Sequence, residues 1–142
     1  MTLYVIDASV AAKWFIPEDH SVDARKLLSP EHGRVAPDLI FVEFAHVLVK
    51  RRRRNEILVR DALEHLSALE GLVQVRASAR LMASAVEIAV SFDRSAYDAL
   101  YVALAISEEC QLVTADRRLY NALALHLAET MLWIEDVPEL AS

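Results

Sequence analysis

Four acidic residues lie where a carboxylate is hard to explain by solubility alone: Asp7, Glu43, Asp98 and Asp116. Asp7 and Asp116 each follow a short apolar run, and Glu43 and Asp98 lie inside longer apolar stretches. A buried carboxylate costs free energy unless a partner compensates its charge. A divalent cation supplies that compensation and also reduces the repulsion between clustered carboxylates. The four acids are therefore candidate ligands of a metal ion.

Each acid also has a structural interpretation. An Asp that precedes a helix accepts hydrogen bonds from backbone N–H groups, so Asp7 and Asp116 fit helix N-caps. Ser95 and Asp98 have the spacing of a capping box, and Glu43 fits the rim of a helix with one wet face. For a single acid this interpretation is at least as good as the chemical one. An accidental set, however, is not expected to place acids at two strand ends and inside two apolar helices.

The elements that must position these acids follow from the hydrophobic pattern and from the turn residues. The predicted strands are residues 3–6, 34–36, 72–75, 112–113 and 131–134. The predicted helices are residues 8–15, 19–28, 56–69, 78–90, 95–107 and 116–125, with a long helix that begins at residues 37–38 and runs into the basic segment 50–54. Strands that alternate with helices are typical of an α/β protein with a parallel sheet covered on both faces.

The order of strands and acids along the chain predicts where the acids lie. In a parallel α/β sheet, ligands bind beyond the carboxyl ends of the strands. Asp7 directly follows the first predicted strand, and Asp116 follows the strand at 112–113 after Thr114 and Ala115. We therefore expect both carboxylates at the same edge of the sheet.

The composition limits the class of protein. A chain of 142 residues, 55% of them hydrophobic, can bury one sizeable core, so we expect a single domain over residues 1–142. No run of about 18 apolar residues is present, and the short apolar start has no basic residues before it, which argues against a membrane span and a secretory signal. The single cysteine, Cys110, excludes an intramolecular disulfide and a multi-cysteine zinc site. These features predict a cytoplasmic protein.

Four segments resemble, in order and spacing, the successive motifs of PIN-domain ribonucleases. They are residues 5–10 (VIDASV), 37–43 (PDLIFVE), 97–101 (YDALY) and 113–119 (VTADRRL). Within that family the chain is most similar to the VapC-type toxins of bacterial and archaeal toxin–antitoxin pairs. The resemblance extends from residue 3 to about residue 134 and thus covers nearly the whole chain.

This resemblance implies a three-layer α/β/α sandwich with a central parallel sheet and the activity of an Mg²⁺- or Mn²⁺-dependent endoribonuclease. The family pattern places Asp7, Glu43, Asp98 and Asp116 as the catalytic, metal-binding acids. Two further residues, Ser9 and Thr114, match hydroxyl positions that support the site. The resemblance also implies an RNA substrate, a homodimer and a cognate antitoxin that blocks the site.

The residue types agree with that chemistry. Mg²⁺ prefers oxygen ligands and retains several water molecules, so two or three carboxylates are enough to hold one ion. A bound ion would polarise a phosphodiester oxygen and lower the pKa of an attacking water molecule. Asp7 and Asp98 are the preferred direct ligands, whereas Glu43 or Asp116 acts through water or orients the nucleophile. One ion and two ions are both open.

Contacts with RNA would depend on local basic groups, because the net charge of −6 provides no overall attraction. Arg117 and Arg118, next to Asp116, are candidates for phosphate contacts. Lys13 either approaches the substrate or forms a surface ion pair. The basic run 50–54 either holds the RNA backbone or is a solvated helix end, where cations favour the negative end of the helix dipole.

Two rival functions are open at this point. Phosphoryl transfer through an aspartyl phosphate is disfavoured, because Asp7 is followed by Ala8 and Ser9 and no second acid stands where the Asp-x-Asp-x-Thr pattern has one. A module that binds RNA or an antitoxin without cleavage is the stronger rival. Exposed apolar surface on the first helices is expected to serve an antitoxin, whose inserted arginine would take the place of a cation at the acids.

Overall fold

The computed structural model describes residues 1–139. In these residues the strands are β1 (Thr2–Ile6), β2 (His32–Pro37), β3 (Gln74–Arg76), β4 (Gln111–Thr114) and β5 (Met131–Trp133). The α-helices are α1 (Ala8–Phe15), α2 (Ser21–Lys26), α3 (Leu39–Arg53), α4 (Val59–Glu70), α5 (Met82–Phe92), α6 (Ala96–Ser107) and α7 (Arg117–Leu123). Short 3-10 helices cover Ala79–Leu81 and Ile134–Asp136.

The five strands form one parallel sheet in the order β3-β2-β1-β4-β5. The chain first moves outward from β1 to β2 and β3, and then returns to the other side of β1 for β4 and β5. The order therefore reverses between β1 and β4. Such a switch point leaves a crevice at the carboxyl ends of the two strands, where ligands bind in open α/β sheets.

Helices cover both faces of the sheet, as the sequence predicts. Successive residues of a strand point to opposite faces, so neighbouring residues enter different cores. Ile6 and Val113 are buried in the core beneath α1 and α3. Val5 and Leu112 are buried in the second core, which α6 dominates. The prediction of a three-layer α/β/α sandwich is thus confirmed.

The boundaries differ from the predicted ones where the backbone leaves the helical region. His20 has a left-handed backbone (φ 67°), so α2 begins at Ser21 rather than at residue 19. Asn55 is also left-handed (φ 58°), and α4 begins at Val59 rather than at residue 56. The predicted helix 78–90 begins with a 3-10 turn before α5, and β5 ends one residue earlier than predicted.

The sequence suggested exposed apolar surface on the first helices, but the first of them, α1, buries its apolar side chains, whereas Val22 of α2 is 74% exposed. Six of the eight residues of α1 are buried, because this helix lies over the sheet and beneath α3. Trp14 belongs to this core, and its indole Nε1–H donates to the carbonyl oxygen of Ala24 at 2.8 Å. In residues 1–139 no helix is long and apolar enough to cross a membrane.

Candidate active site

The four acids that the sequence singled out line one cavity of about 150 Å³ at the switch point of the sheet. Asp7 follows β1 and Asp116 follows β4, as expected from their positions after strands. Glu43 comes from α3 on one face of the sheet, and Asp98 comes from α6 on the other face. The remaining lining residues are Ala8, Ser9, Tyr101 and Leu119.

Asp7 is the N-cap of α1, as the structural interpretation of this residue predicts. Its Oδ1 accepts hydrogen bonds from the Val10 backbone N–H at 2.9 Å and from the Ser9 hydroxyl at 2.7 Å. Burial raises the pKa of Asp7 to about 6, although these two hydrogen bonds lower it. The carboxylates of Glu43 and Asp98 raise it further. The cap therefore holds a carboxylate whose negative charge is poorly compensated.

Asp116 is the N-cap of α7 and is held in a similar way. Its Oδ1 accepts from the backbone N–H groups of Arg118 and Leu119 at 3.0 and 3.2 Å. The backbone N–H of Asp116 in turn donates to the hydroxyl of Thr114 at 3.0 Å. Thr114 is fully buried at the end of β4. Within residues 1–139, the capping hydrogen bonds of Asp7 and Asp116 involve only Oδ1, so capping leaves Oδ2 of each carboxylate available to another ligand.

Glu43 is held by a tyrosine that the sequence did not single out as a site residue. The hydroxyl of Tyr101 donates to Oε1 of Glu43 at 2.6 Å. Tyr101 is only 4% exposed, and burial raises its pKa far above the ordinary value, with the Glu43 hydrogen bond as the next cause. Burial also raises the pKa of Glu43, while the Tyr101 hydrogen bond lowers it. The sequence did contain a sign that Tyr101 belongs to the site: it lies three residues after Asp98, so the two side chains share one side of a helix.

Asp98 lies in the first turn of α6. The side chain of Ser95 caps this helix and accepts from the backbone N–H of Asp98 at 3.0 Å, which is one half of the predicted capping box. Burial raises the pKa of Asp98, and the charge of Asp116 raises it further, whereas Arg94 lowers it. Burial and mutual repulsion thus disfavour the charged forms of Asp7, Glu43 and Asp98 together.

A PIN-domain family model matches residues 4–124 of the chain. The chain belongs to the PIN-domain family. Ribonuclease VapC3 of Pyrobaculum aerophilum is 33% identical over 118 residues, which cover 81% of this chain and 90% of that protein. The resemblance to VapC-type PIN domains that the four motifs indicated is therefore confirmed.

Solved structures share the fold of this PIN domain. A protein from Pyrobaculum aerophilum superposes with a TM-score of 0.69 at 24% identity, over 94% of this chain and 85% of that one. A toxin–antitoxin complex from Klebsiella pneumoniae contains a chain with a TM-score of 0.59 at 14% identity, over 87% of this chain and 92% of that one. At these identities the comparison establishes the architecture.

The donor chemistry of the PIN-domain cavity suits a hard divalent cation. Four of the five titratable side chains that line it are carboxylates, the fifth being Tyr101, and oxygen is the ligand that Mg²⁺ and Mn²⁺ prefer. In the region 1–139, no three His, Cys, Asp or Glu side chains are already close enough to hold one ion. Repulsion between uncompensated carboxylates opposes such an arrangement. An ion held by three of these carboxylates would require their side chains to draw closer together.

Lys13 does not line the cavity of the PIN domain. Its side chain is turned toward the C-terminal end of α1, and its Nζ lies 3.1 Å from Oε1 of Glu18. Arg51 also pairs with Glu18, so the three side chains join α1 to the end of α3. Lys13 is 9% exposed, which shows that this ion pair is not the surface pair considered from the sequence.

The basic run 50–54 lies at the C-terminal end of α3. It begins seven residues after Glu43, about 10 Å further along the helix axis. Arg51 pairs with Glu56 at 2.8 Å as well as with Glu18, and Arg52 donates to Asn55 at 3.0 Å. These contacts agree with the interpretation of the run as a helix end.

Arg117 and Arg118 begin α7, directly after Asp116, and both are exposed. The Cζ atom of Arg117 lies 3.7 Å from the centre of the Trp133 ring. Neither arginine lines the acidic cavity, although both directly follow Asp116, which does. Of the two, Arg117 makes a cation–π contact, and Arg118 makes none within residues 1–139.

Proposed function

We propose that this chain is a metal-dependent endoribonuclease, the toxin of a VapBC-type toxin–antitoxin pair. In this proposal Asp7, Glu43, Asp98 and Asp116 are its catalytic, metal-binding acids. The observation that carries the proposal is the convergence of these four carboxylates, from four different elements, in one cavity at the switch point of the sheet. Membership of the PIN-domain family and the similarity to Ribonuclease VapC3 support it.

Mg²⁺ or Mn²⁺ is the proposed cofactor, in keeping with the divalent-metal dependence that is general among PIN-domain ribonucleases. When bound, the ion would polarise a phosphodiester oxygen and lower the pKa of the attacking water. Asp7 and Asp98 are the proposed direct ligands. The Tyr101 hydroxyl orients Glu43 and backbone N–H groups orient Asp116, which suits these two acids to hold or orient water.

Hydrolysis adds water across one P–O bond of the RNA, and other residues of the chain have supporting roles in this reaction. Ser9 and Thr114 keep Asp7 and Asp116 in place through their hydroxyl groups. Arg117 and Arg118, which directly follow Asp116, are the candidates for local attraction of RNA phosphates. This local attraction is needed because the cavity itself is acidic and the chain carries a net charge of −6.

Cleavage of a labelled, sequence-diverse RNA pool tests the proposal. We expect cutting with Mg²⁺ or Mn²⁺, none with EDTA, and a loss of at least about 100-fold in Asp98→Asn, because a metal ligand is removed. Asp93→Asn is the matched control: this exposed residue has a left-handed backbone (φ 52°), which Asn tolerates, and it does not line the cavity. Equal cutting by wild type and Asp98→Asn would contradict the proposal. No cutting by the wild type would favour the non-catalytic binding module.

A homodimer and a cognate antitoxin are the proposed protein partners. Exposed apolar side chains border the acidic cavity: Val42 is 68% exposed and Tyr97 is 61% exposed, and both line a groove of about 530 Å³ together with Met82. Apolar residues gathered in this way are typical of surfaces that another protein covers.

Light scattering tests the homodimer on this groove. We expect the purified chain to have about twice its mass of 15.9 kDa, and Val42→Lys to be monomeric, because a buried ammonium opposes association. Val22→Lys is the control, since Val22 is 74% exposed on α2 and does not line the groove. A wild-type monomer, or an unchanged dimer in Val42→Lys, would rule out this interface.

We also propose that residues 1–142 form a single PIN-like domain, since one sheet accounts for all the strands within residues 1–139. A cytoplasmic location follows from the proposed RNA substrate and agrees with the single, half-buried cysteine.

A further inference from the structure

Arg117 has an aromatic support that its neighbour Arg118 lacks. Its guanidinium carbon lies 3.7 Å from the centre of the Trp133 ring and 5.9 Å from the centre of the Tyr120 ring. Trp133 is 7% exposed, and the His20 ring lies against it with 5.8 Å between centres. A ring enclosed in this way has little freedom to move, so it offers Arg117 a fixed surface.

The Trp133 ring lies at the same edge of the sheet as the acidic cavity. Trp133 is the last residue of β5 and pairs in register with Thr114, the last residue of β4. Asp116 follows Thr114 by two residues. Neighbouring strands are about 4.8 Å apart, so the support for Arg117 stands about one strand spacing from the strand that presents Asp116.

The positive charge of Arg117 is not paired with a carboxylate in the described part of the chain. Among residues 1–139, Arg117 forms no ion pair and no side-chain hydrogen bond, whereas Arg51 and Arg76 both pair with carboxylates. A guanidinium that stacks on a ring keeps its in-plane N–H donors free, and these donors match the oxygens of a phosphate. Because the ring already restricts the side chain, less conformational freedom is lost when a phosphate binds.

We propose that Trp133 is a positioning residue that holds Arg117 to bind an RNA phosphate next to the one in the acidic cavity, and that Arg118 does not share this role. The inference rests on the proposed ribonuclease function. Arg117 and Arg118 are adjacent in the sequence, so their positions along the chain do not show which of them makes this phosphate contact.

Binding of a fluorescein-labelled single-stranded RNA of mixed sequence tests the contact, in an Asp98→Asn background that prevents cleavage. We expect Arg117→Gln to weaken binding about 10-fold and to reduce the slope of log K against log salt by about 0.7. The matched variant Arg118→Gln should change affinity less than about two-fold. Equal effects of the two substitutions would overturn the inference.

The positioning role of Trp133 needs a separate readout. Trp133→Leu should weaken binding about as much as Arg117→Gln, and the double variant should be no weaker than Arg117→Gln alone, because both changes remove one contact. Trp133→Phe, which keeps a ring, should retain most of the affinity and serves if Trp133→Leu fails to fold. Additive losses, or a Trp133→Phe variant as weak as Arg117→Gln, would contradict the role.

Steady-state kinetics of RNA cleavage distinguish a failure of the Arg117 assignment from a failure of the proposed ribonuclease function. Arg117→Gln should raise the KM for RNA and leave kcat within about two-fold, because a contact outside the acidic cavity is made equally in the ground and transition states. If the chain cleaves RNA but kcat falls with KM unchanged, only the assignment of Arg117 fails. If the chain neither cleaves nor binds RNA, both proposals fail.

Discussion

Replacing Asp7 by Asn should abolish cleavage and, at neutral pH without divalent ions, make the protein more stable than the wild type. Activity should fall at least about 100-fold because a proposed metal ligand is lost. Stability should rise because Asn keeps the N-cap of α1 and can still accept from Val10 and Ser9, while the buried negative charge disappears.

The pH dependence of this effect follows from the pKa of Asp7. Burial raises this pKa from 3.8 to about 6 in the folded protein, so the folded state favours the protonated form. The stability that Asp7 contributes is fully present below about pH 4 and is lost as the pH rises through about 6. This shift in the pKa of Asp7 lowers the free energy of unfolding by at most about 3 kcal/mol at neutral pH. For a chain of this length, that corresponds to a Tm difference of about 5–10 °C.

Thermal unfolding of wild type and Asp7→Asn from pH 3.5 to 8 in EDTA measures this difference. The two Tm values should converge near pH 3.5, separate between about pH 4 and 6, and differ by a constant amount above that range, with Asp7→Asn the more stable. Mg²⁺ at neutral pH should then stabilise the wild type more than the variant, since a ligand that binds only the folded state raises its stability. Asp19→Asn, the same change at an exposed residue, is the control. A less stable Asp7→Asn at pH 7 would show that the Asp7 charge is compensated in the folded protein.

Replacing Tyr101 by Phe should reduce metal affinity and cleavage by about 10- to 100-fold, the range typical of residues that orient a metal ligand. Phe fills the same space, so only the hydroxyl that donates to Glu43 is removed. The hydrogen bond lowers the pKa of Glu43 and thus opposes its burial. Without it the pKa rises further, and a proton competes more strongly with the metal ion.

Calorimetric titration with Mg²⁺ or Mn²⁺ tests this role apart from catalysis. The affinity of Tyr101→Phe should approach that of the wild type as the pH rises, because Glu43 is then ionised in both proteins. Tyr97→Phe is the matched control: it lies one turn earlier on α6, is 61% exposed and does not line the acidic cavity. Wild-type affinity in Tyr101→Phe at every pH would assign Tyr101 to packing alone.

The amino-acid pattern was enough to predict the secondary-structure elements and the placement of two of the four acids. Apolar runs and turn residues predicted the alternation of strands and helices, because each signal depends on residues that are close along the chain. Asp7 and Asp116 could be placed at one edge of the sheet because the carboxyl ends of parallel strands share that edge. Their roles as N-caps were also predictable, since capping is a local interaction.

Contacts between side chains that are remote along the chain depend on how the elements pack together. Tyr101 and Glu43 are 58 residues apart, and their hydrogen bond depends on α3 and α6 lying on opposite faces of one sheet. The Trp133 ring reaches Arg117 because β5 pairs beside β4, a neighbour relation that hydrophobic periodicity does not encode. Periodicity reports which side of an element is buried, whereas strand order and helix packing decide what that side is buried against.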